Sequence, residues 1–124
     1  MSDATKNLGN IGENLAAKFL ENHGYKIIEK NFRIRSAEID IIAEKAGTII
    51  FVEVKTRSNI RKGTPAEAVN IRKQKKIIEA ASVFLQDENY CDCACRFDVI
   101  EIISAGKFFE VNHIENAFEV ASEY

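Results

Sequence analysis

The stretch Glu38-Ile39-Asp40-Ile41-Ile42-Ala43-Glu44-Lys45-Ala46-Gly47-Thr48-Ile49-Ile50-Phe51-Val52-Glu53-Val54-Lys55-Thr56 decides the fold. β-Branched and aromatic residues dominate both halves, and Glu44-Lys45-Ala46-Gly47 interrupts them with a turn signal. Glu38 to Ala43 therefore reads as one strand and Thr48 to Thr56 as the next, joined in a hairpin. With Ala46-Gly47 as a two-residue turn, Lys45 pairs with Thr48, and counting back puts Asp40 opposite Glu53. Opposed residues point to the same face, and Lys55, two positions on from Glu53, joins them there. The register thus gathers Asp40, Glu53 and Lys55 on one patch. A slip of one residue would scatter them.

That patch needs a chemical explanation. Asp40 is bracketed by Ile39 and Ile41, and Glu53 by Val52 and Val54. Burying a lone carboxylate is costly unless it is paired or bound to a cation. Two carboxylates on neighbouring strands repel each other, and a divalent metal removes that repulsion. Mg²⁺ takes one or two carboxylates and leaves its other positions to water and substrate phosphate. Lys55 beside them could hold the attacking water or neutralise charge developing on a phosphate. The bland alternative is a solvent-facing polar face with Glu53 and Lys55 in ordinary ion pairs.

Outward from the hairpin, Leu8, Ile11, Leu15 and Phe19 recur at helical steps, and Gly12, Ala16 and Leu20 widen the stripe. A helix is expected over Gly9 to His23, stopped by Gly24, with Glu13 on the border of its apolar face. Tyr25 to Arg35 reads as a strand with a basic second half. Thr64-Pro65-Ala66-Glu67 opens a helix through a capping box, and helical character runs on to Gln86 with a break near Asn70. Arg96 to Ile103 is a further strand, Ser104-Ala105-Gly106 a turn into Lys107 to Val111, and His113 to Ala121 a short helical ending. The expectation is one α/β domain over residues 1–124.

Composition bounds what such a domain does. With 124 residues, 46% hydrophobic and 29% charged, the chain fits a globular domain and neither disorder nor a fibrous repeat. No apolar stretch approaches the roughly 20 residues of a membrane span. No secretory signal is visible in Met1 to Gly9, so the cytoplasm is the expected location. The net charge of −2 argues against a generic polyanion binder. Its distribution is uneven: Lys55 to Lys76 carries eight basic residues and one acidic, Ile77 to Tyr124 two basic and ten acidic. A local basic surface of this kind can dock a phosphate backbone, and a solvated lysine-rich helix face is the plainer alternative. Cys91, Cys93 and Cys95 do not suggest a disulfide framework and read better as small apolar filler than as a metal site. His23 and His113 receive no role.

Taken together these residues resemble a known family. Asp40 followed by Glu53-Val54-Lys55 is similar to the core of the PD-(D/E)-x-K nucleases, the restriction-endonuclease-like fold. More closely, the chain resembles the YraN family of uncharacterised bacterial proteins, related to archaeal Holliday-junction resolvases. Gly9-x-x-Gly12-Glu13-x-x-Ala16, Asn31-Phe32-Arg33, Glu38-Ile39-Asp40, Phe51 to Arg57, Pro65-x-Glu67-Ala68-Val69, Lys73, Arg96 to Val99 and Ala117-Phe118 carry the likeness. It departs where Ile39 replaces the proline of the motif and Ala37 stands where relatives commonly carry glycine.

The resemblance implies a central mixed sheet flanked by helices. It implies Asp40, Glu53 and the Val54 carbonyl as ligands of Mg²⁺ or Mn²⁺, Lys55 as the catalytic lysine, and Glu13 as the first-helix glutamate. Gln74 would match a polar residue that assists the site in some relatives. Arg33, Arg35, Arg57, Arg61, Lys62, Arg72, Lys73, Lys75 and Lys76 would contact nucleic-acid phosphates. The implied function is a Mg²⁺-dependent endonuclease hydrolysing DNA, selective for branched or damaged structure since no base-reading motif is evident. A two-fold dimer would suit a symmetric junction. Two other functions use the same fold: a non-catalytic nucleic-acid-binding module, and a protein-interaction subunit whose acidic C-terminal third meets a basic partner.

Overall fold

The hairpin read from the sequence lies at the heart of a five-stranded sheet. The computed structural model describes residues 3–57 and 69–120. Its elements are α1 (Asp3–Asn22), β1 (Lys26–Ile34), β2 (Ala37–Lys45), β3 (Thr48–Arg57), α2 (Ile71–Phe84), β4 (Ala94–Ala105) and β5 (Phe108–Phe118). The strands lie side by side in chain order. β1, β2 and β3 form an antiparallel meander, β4 runs parallel to β3, and β5 returns antiparallel to β4. The parallel pair follows from α2, because a strand can repeat its neighbour's direction only after a crossover. The architecture is α/β with a mixed sheet, the layering of the restriction-endonuclease-like fold class.

Each face of the sheet is closed by one helix. Ala16, Ala17 and Leu20 of α1 pack on Ile41, Ile50, Val52, Ile100 and Ile102. Ile77, Ala80, Ala81 and Phe84 of α2 pack on Ile42, Ile49, Phe51, Phe97 and Val99. The seam of α1 therefore runs along Gly12, Ala16 and Leu20, and Ile11, which the sequence places in the stripe, is exposed. Gly12 sets how closely α1 sits: a Cβ at that position would collide with the Thr56 hydroxyl on β3. No described helix is long and apolar enough to cross a membrane.

The turn chemistry is as the sequence implies. Ala46 and Gly47 both have positive φ (51° and 80°), and Lys45 pairs with Thr48. α2 begins at the expected break, where Asn70 caps the helix by accepting from the Lys73 amide at 2.9 Å. The capping box at Thr64 to Glu67 lies outside the described residues.

One element corrects the sequence reading. His113 to Ala121 is not helical; β5 continues as a strand to Phe118. Glu115-Asn116 forms a bulge. Pairing steps from Val99↔Ile114 to Phe97↔Phe118, and the extra β5 residues wrap around Asp98, whose Oδ1 accepts the Asn116 amide at 2.9 Å. A buried carboxylate needing donors overrides the local propensity.

Candidate active site

Backbone pairing of β2 with β3 runs from Lys45↔Thr48 to Ile41↔Val52 and goes no further. At the next step Asp40 Oδ2 accepts the Val54 amide proton at 2.8 Å. Strict alternation breaks at the same place, since Ile41 and Ala43 belong to the α1-side core while Ile39 and Ile42 belong to the α2-side core. β1 carries the matching distortion: its pairs skip from Lys30↔Ile41 to Phe32↔Ile39, and Asn31 between them has φ 56°. Asp40 and Glu53 do come together, across two strands that have just parted and not across a regular ladder.

The two acids crowd each other. Burial, then the hydrogen bond to Glu53 and the charge on Glu53, push the Asp40 carboxyl up to about 9, against the opposing pull of the Val54 amide. Glu53 is only 7% exposed. Its Oε2 is buried without a hydrogen-bond partner. The Lys73 ammonium, 3.0 Å away, forms a salt bridge with that oxygen. An orphaned carboxylate oxygen beside a protonated acid is the donor set that a hard divalent cation completes.

The pair opens into a cavity of about 330 Å³ between the helices. Gly9 and Glu13 of α1 form one wall, Lys73 of α2 another, and Val54 and Thr56 lie with the two acids. In the orientation that satisfies both neighbours, the Asn31 amide donates to Glu13 Oε1 at 3.1 Å and to Glu38 Oε1 at 2.9 Å. Asn31 thus steers Glu13 toward the cavity, a positioning role for which the sequence gives no signal beyond a polar residue inside a strand. Among the described residues no three His, Cys, Asp or Glu side chains converge as a ready-made metal cage. A cation here would rest on the two acids and the Val54 carbonyl, with the remaining positions left to water and substrate.

Lys55 is half-buried beside the pair but does not line the cavity. Burial and the neighbouring Lys73 charge lower its pKa, with Glu53 pulling the other way. Burial also works against the charge on Lys73, yet the Glu53 carboxylate keeps its pKa raised. Lys73, read from the sequence as one phosphate contact among many, is therefore part of the site itself. Gln74 is not: its side-chain amide holds the Val69 carbonyl at 2.7 Å.

The remaining basic residues divide in two. Arg35, Arg72, Lys75 and Lys76 are exposed. Arg33 is exposed too, 3.3 Å from Glu38. Arg57 is committed elsewhere, paired with buried Glu101 at 3.0 Å and only 15% exposed. Arg61 and Lys62 lie outside the described residues. The three cysteines are free thiols; Cys93 packs at the margin of the α2-side core, and Cys91 and Cys95 are exposed.

A second polar cluster, centred on Asp98 of β4 beside Val52 of β3, explains His113. Fully buried Asp98 accepts from His113 Nε2 at 2.7 Å, from Arg96 Nε at 3.0 Å and from the Asn116 amide. Arg96 Nη2 reaches on to the Tyr25 hydroxyl at 2.7 Å and Glu115 at 2.9 Å. Burial opposes the Asp98 charge, but the hydrogen bonds from His113 and Arg96 outweigh it and hold the carboxyl below its ordinary range. The partners all belong to this chain, so the cluster ties β4 and β5 to each other and to Tyr25, which precedes β1.

A mixed sheet between two helices, with paired acids where its central strands part and a lysine two residues on, defines a protein of the restriction-endonuclease-like α/β class. Sequence comparison narrows the class. The model of the uncharacterised protein family UPF0102 matches residues 12–102, and the chain belongs to that family. A UPF0102 protein of Geobacter metallireducens is 49% identical over 121 residues, covering 98% of this chain and 99% of the relative. Another, of Chlorobium phaeobacteroides, is 46% identical and covers 96% of this chain and 98% of its own. One of Clostridioides difficile is 49% identical over 113 residues, 91% of this chain and 97% of the relative.

Proposed function

We propose that this protein is a Mg²⁺- or Mn²⁺-dependent endonuclease that hydrolyses phosphodiester bonds in DNA and selects its substrate by shape. The observation that carries the reading is the Asp40–Glu53 pair itself: two acids brought together where β2 and β3 part, Asp40 held by the Val54 amide and Glu53 buried. Such a pair is costly to keep unless a cation resolves it. The cation, when bound, supplies Lewis acidity toward the phosphate and lowers the pKa of a coordinated water.

The chain's own residues supply the rest. Asp40, Glu53 and the Val54 carbonyl hold the cation, and the Asp40 bond to the Val54 amide fixes their spacing. Lys55, with its pKa lowered by burial, orients the attacking water or hands a proton to the departing oxygen from Nζ. Glu13, steered by Asn31, faces the acids from across the cavity and can accept a hydrogen bond from water there. Exposed Arg72, Lys75 and Lys76 on α2 give the phosphate backbone a place to dock beside the cavity. A two-fold dimer acting in the cytoplasm would present two such sites to a branched substrate.

The test is cleavage of labelled single strand, duplex, flap and four-way junction with Mg²⁺ or Mn²⁺, using Asp40→Ala prepared identically as the control. Cutting that needs metal and is absent from the variant is the expected result. Residual cutting equal in wild type and variant would sink the nuclease reading. Shape-selective binding without cutting would leave a nucleic-acid-binding module on the same fold.

A further inference from the structure

We propose that the Lys73 ammonium is a resident cation of this site, neutralising Glu53 in the metal-free protein and yielding its place when a divalent cation arrives. The proposal rests on reading Asp40 and Glu53 as the cation site. Its first support is geometric. Lys73 Nζ stands 3.0 Å from Glu53 Oε2, a buried oxygen with no other polar partner among the described residues. The ammonium is what balances the charge there.

A second support is the place of Lys73 on its helix. It lies in the first turn of α2, three residues after the Asn70 cap, and that turn contains no acidic residue. The N-terminal end of a helix is positive and favours Asp or Glu, so a lysine there works against the helix. What offsets the conflict is the carboxylate that Lys73 faces. The third support is asymmetry of burial. Glu53 is 93% buried, whereas the Lys73 side chain is 44% exposed. The acid is fixed in the sheet, and the base has an open way out along the cavity it lines.

A divalent cation seated on Glu53 would meet the ammonium at contact distance, and like charges so close cannot both stay. Lys73 must then swing toward the mouth of the cavity. There, beside Arg72, it is free to meet a substrate phosphate. Metal and nucleic acid consequently favour each other: a phosphate that draws Lys73 away clears Glu53 for metal, and metal on Glu53 releases Lys73 to the phosphate. That coupling is reciprocal by thermodynamic necessity. The metal-free, substrate-free protein is held idle by its own lysine.

Titrating Mn²⁺ into the whole protein, with free Mn²⁺ followed by electron paramagnetic resonance and heat by calorimetry, tests this without any turnover. Lys73→Met should bind Mn²⁺ about tenfold more tightly than wild type, the expected gain from removing an adjacent positive charge in a half-open site. Lys73→Gln, which keeps a donor but loses the charge, carries the same expectation if the methionine variant folds poorly. Lys73→Arg should bind like wild type, and Glu53→Gln should lose the ion. Equal or weaker Mn²⁺ affinity in the uncharged variants overturns the resident cation and leaves the metal site standing. Failure of wild type and both uncharged variants to bind millimolar Mn²⁺ overturns the metal site, and the resident cation with it.

Discussion

Asp40 Oδ2 accepts the Val54 amide proton at 2.8 Å at the step where β2 and β3 stop pairing. A side-chain oxygen thus takes over where backbone pairing ends. Val54 is the residue between Glu53 and Lys55, so the bond ties Asp40 to the peptide that carries both. The acid pair is consequently positioned by the central strands, the most constrained part of the fold, and not by a loop.

Position and charge can be separated at Asp40. Asparagine keeps an oxygen for the Val54 amide and discards the ionisable group. Asp40→Asn should change folding stability by less than about 1 kcal/mol while lowering metal-dependent cleavage at least about 1,000-fold. Asp40→Ala strips the acceptor and leaves a buried amide unpaired, costing about 1–3 kcal/mol. Urea denaturation of the two variants beside wild type distinguishes them. Equal destabilisation would mean that the bond to Val54 does not hold the strand.

The pH dependence follows from the same acid. Unfolded, the Asp40 carboxyl titrates near the ordinary aspartate value of 3.8; folded, burial and the Glu53 hydrogen bond and charge hold it at about 9. The folded chain therefore keeps a proton that the unfolded chain has released. Its stabilising contribution is complete below 3.8 and is lost as pH rises through about 9. A divalent cation needs the carboxylate and must expel that proton. Mn²⁺ affinity should thus rise about tenfold per pH unit over this window, with about one proton released per ion. Calorimetry in buffers of different ionisation enthalpy counts the proton, and a flat affinity with no release would show that Asp40 holds no proton to expel.

Asp98, paired with Val52 on the neighbouring strand, offers the opposite sign. Its carboxyl is held below 3.8 because the hydrogen bonds from His113, Arg96 and Asn116 outweigh burial. Its contribution is present above 3.8 and disappears as pH falls through the lower folded value. Asp98→Ala would leave Arg96 and His113 without their shared acceptor, costing about 3–5 kcal/mol near neutral pH. That deficit should shrink as the wild type is acidified, which melting curves from pH 7 downward would record. Mn²⁺ binding by the folded variant should be unchanged, since none of these groups lines the cavity.

Much of this is legible in the chain. The hairpin is written in the β-branched and aromatic runs on either side of residues 44–47, and its register in Ala46-Gly47, because two residues of positive φ fit a two-residue turn. Asp40, Glu53, Lys55 and Glu13 are legible as charges where burial makes charge expensive. The parting of β2 and β3 is not, and neither is the φ of 56° at Asn31 on the strand beyond them. Nor is the strand character of Glu115-Asn116, which is set by Asp98, distant in sequence and adjacent in the sheet. Lys73 is a middle case. A base in the first turn of a helix signals an acid facing it, but only the fold identifies that acid as Glu53.

Gly12 joins the fold to the site in a way that reverses an ordinary expectation. Alanine is the better helix former by about 1 kcal/mol, so Gly12→Ala in an isolated α1 would stabilise it. Here the added Cβ collides with the Thr56 hydroxyl, and the helix must lift from β3. Overpacking of this kind should turn the gain into a loss of about 1–3 kcal/mol. The next residue is Glu13, so lifting α1 also moves one wall of the cavity and should weaken cleavage beyond the loss of folded protein. Thr56→Ala removes the colliding hydroxyl and leaves only a tight contact with its Cβ. In a double-mutant cycle the Gly12→Ala, Thr56→Ala pair should therefore be more stable than the two single losses added together. Simple additivity, or a stabilised Gly12→Ala, would show that α1 does not rest on β3 at this point.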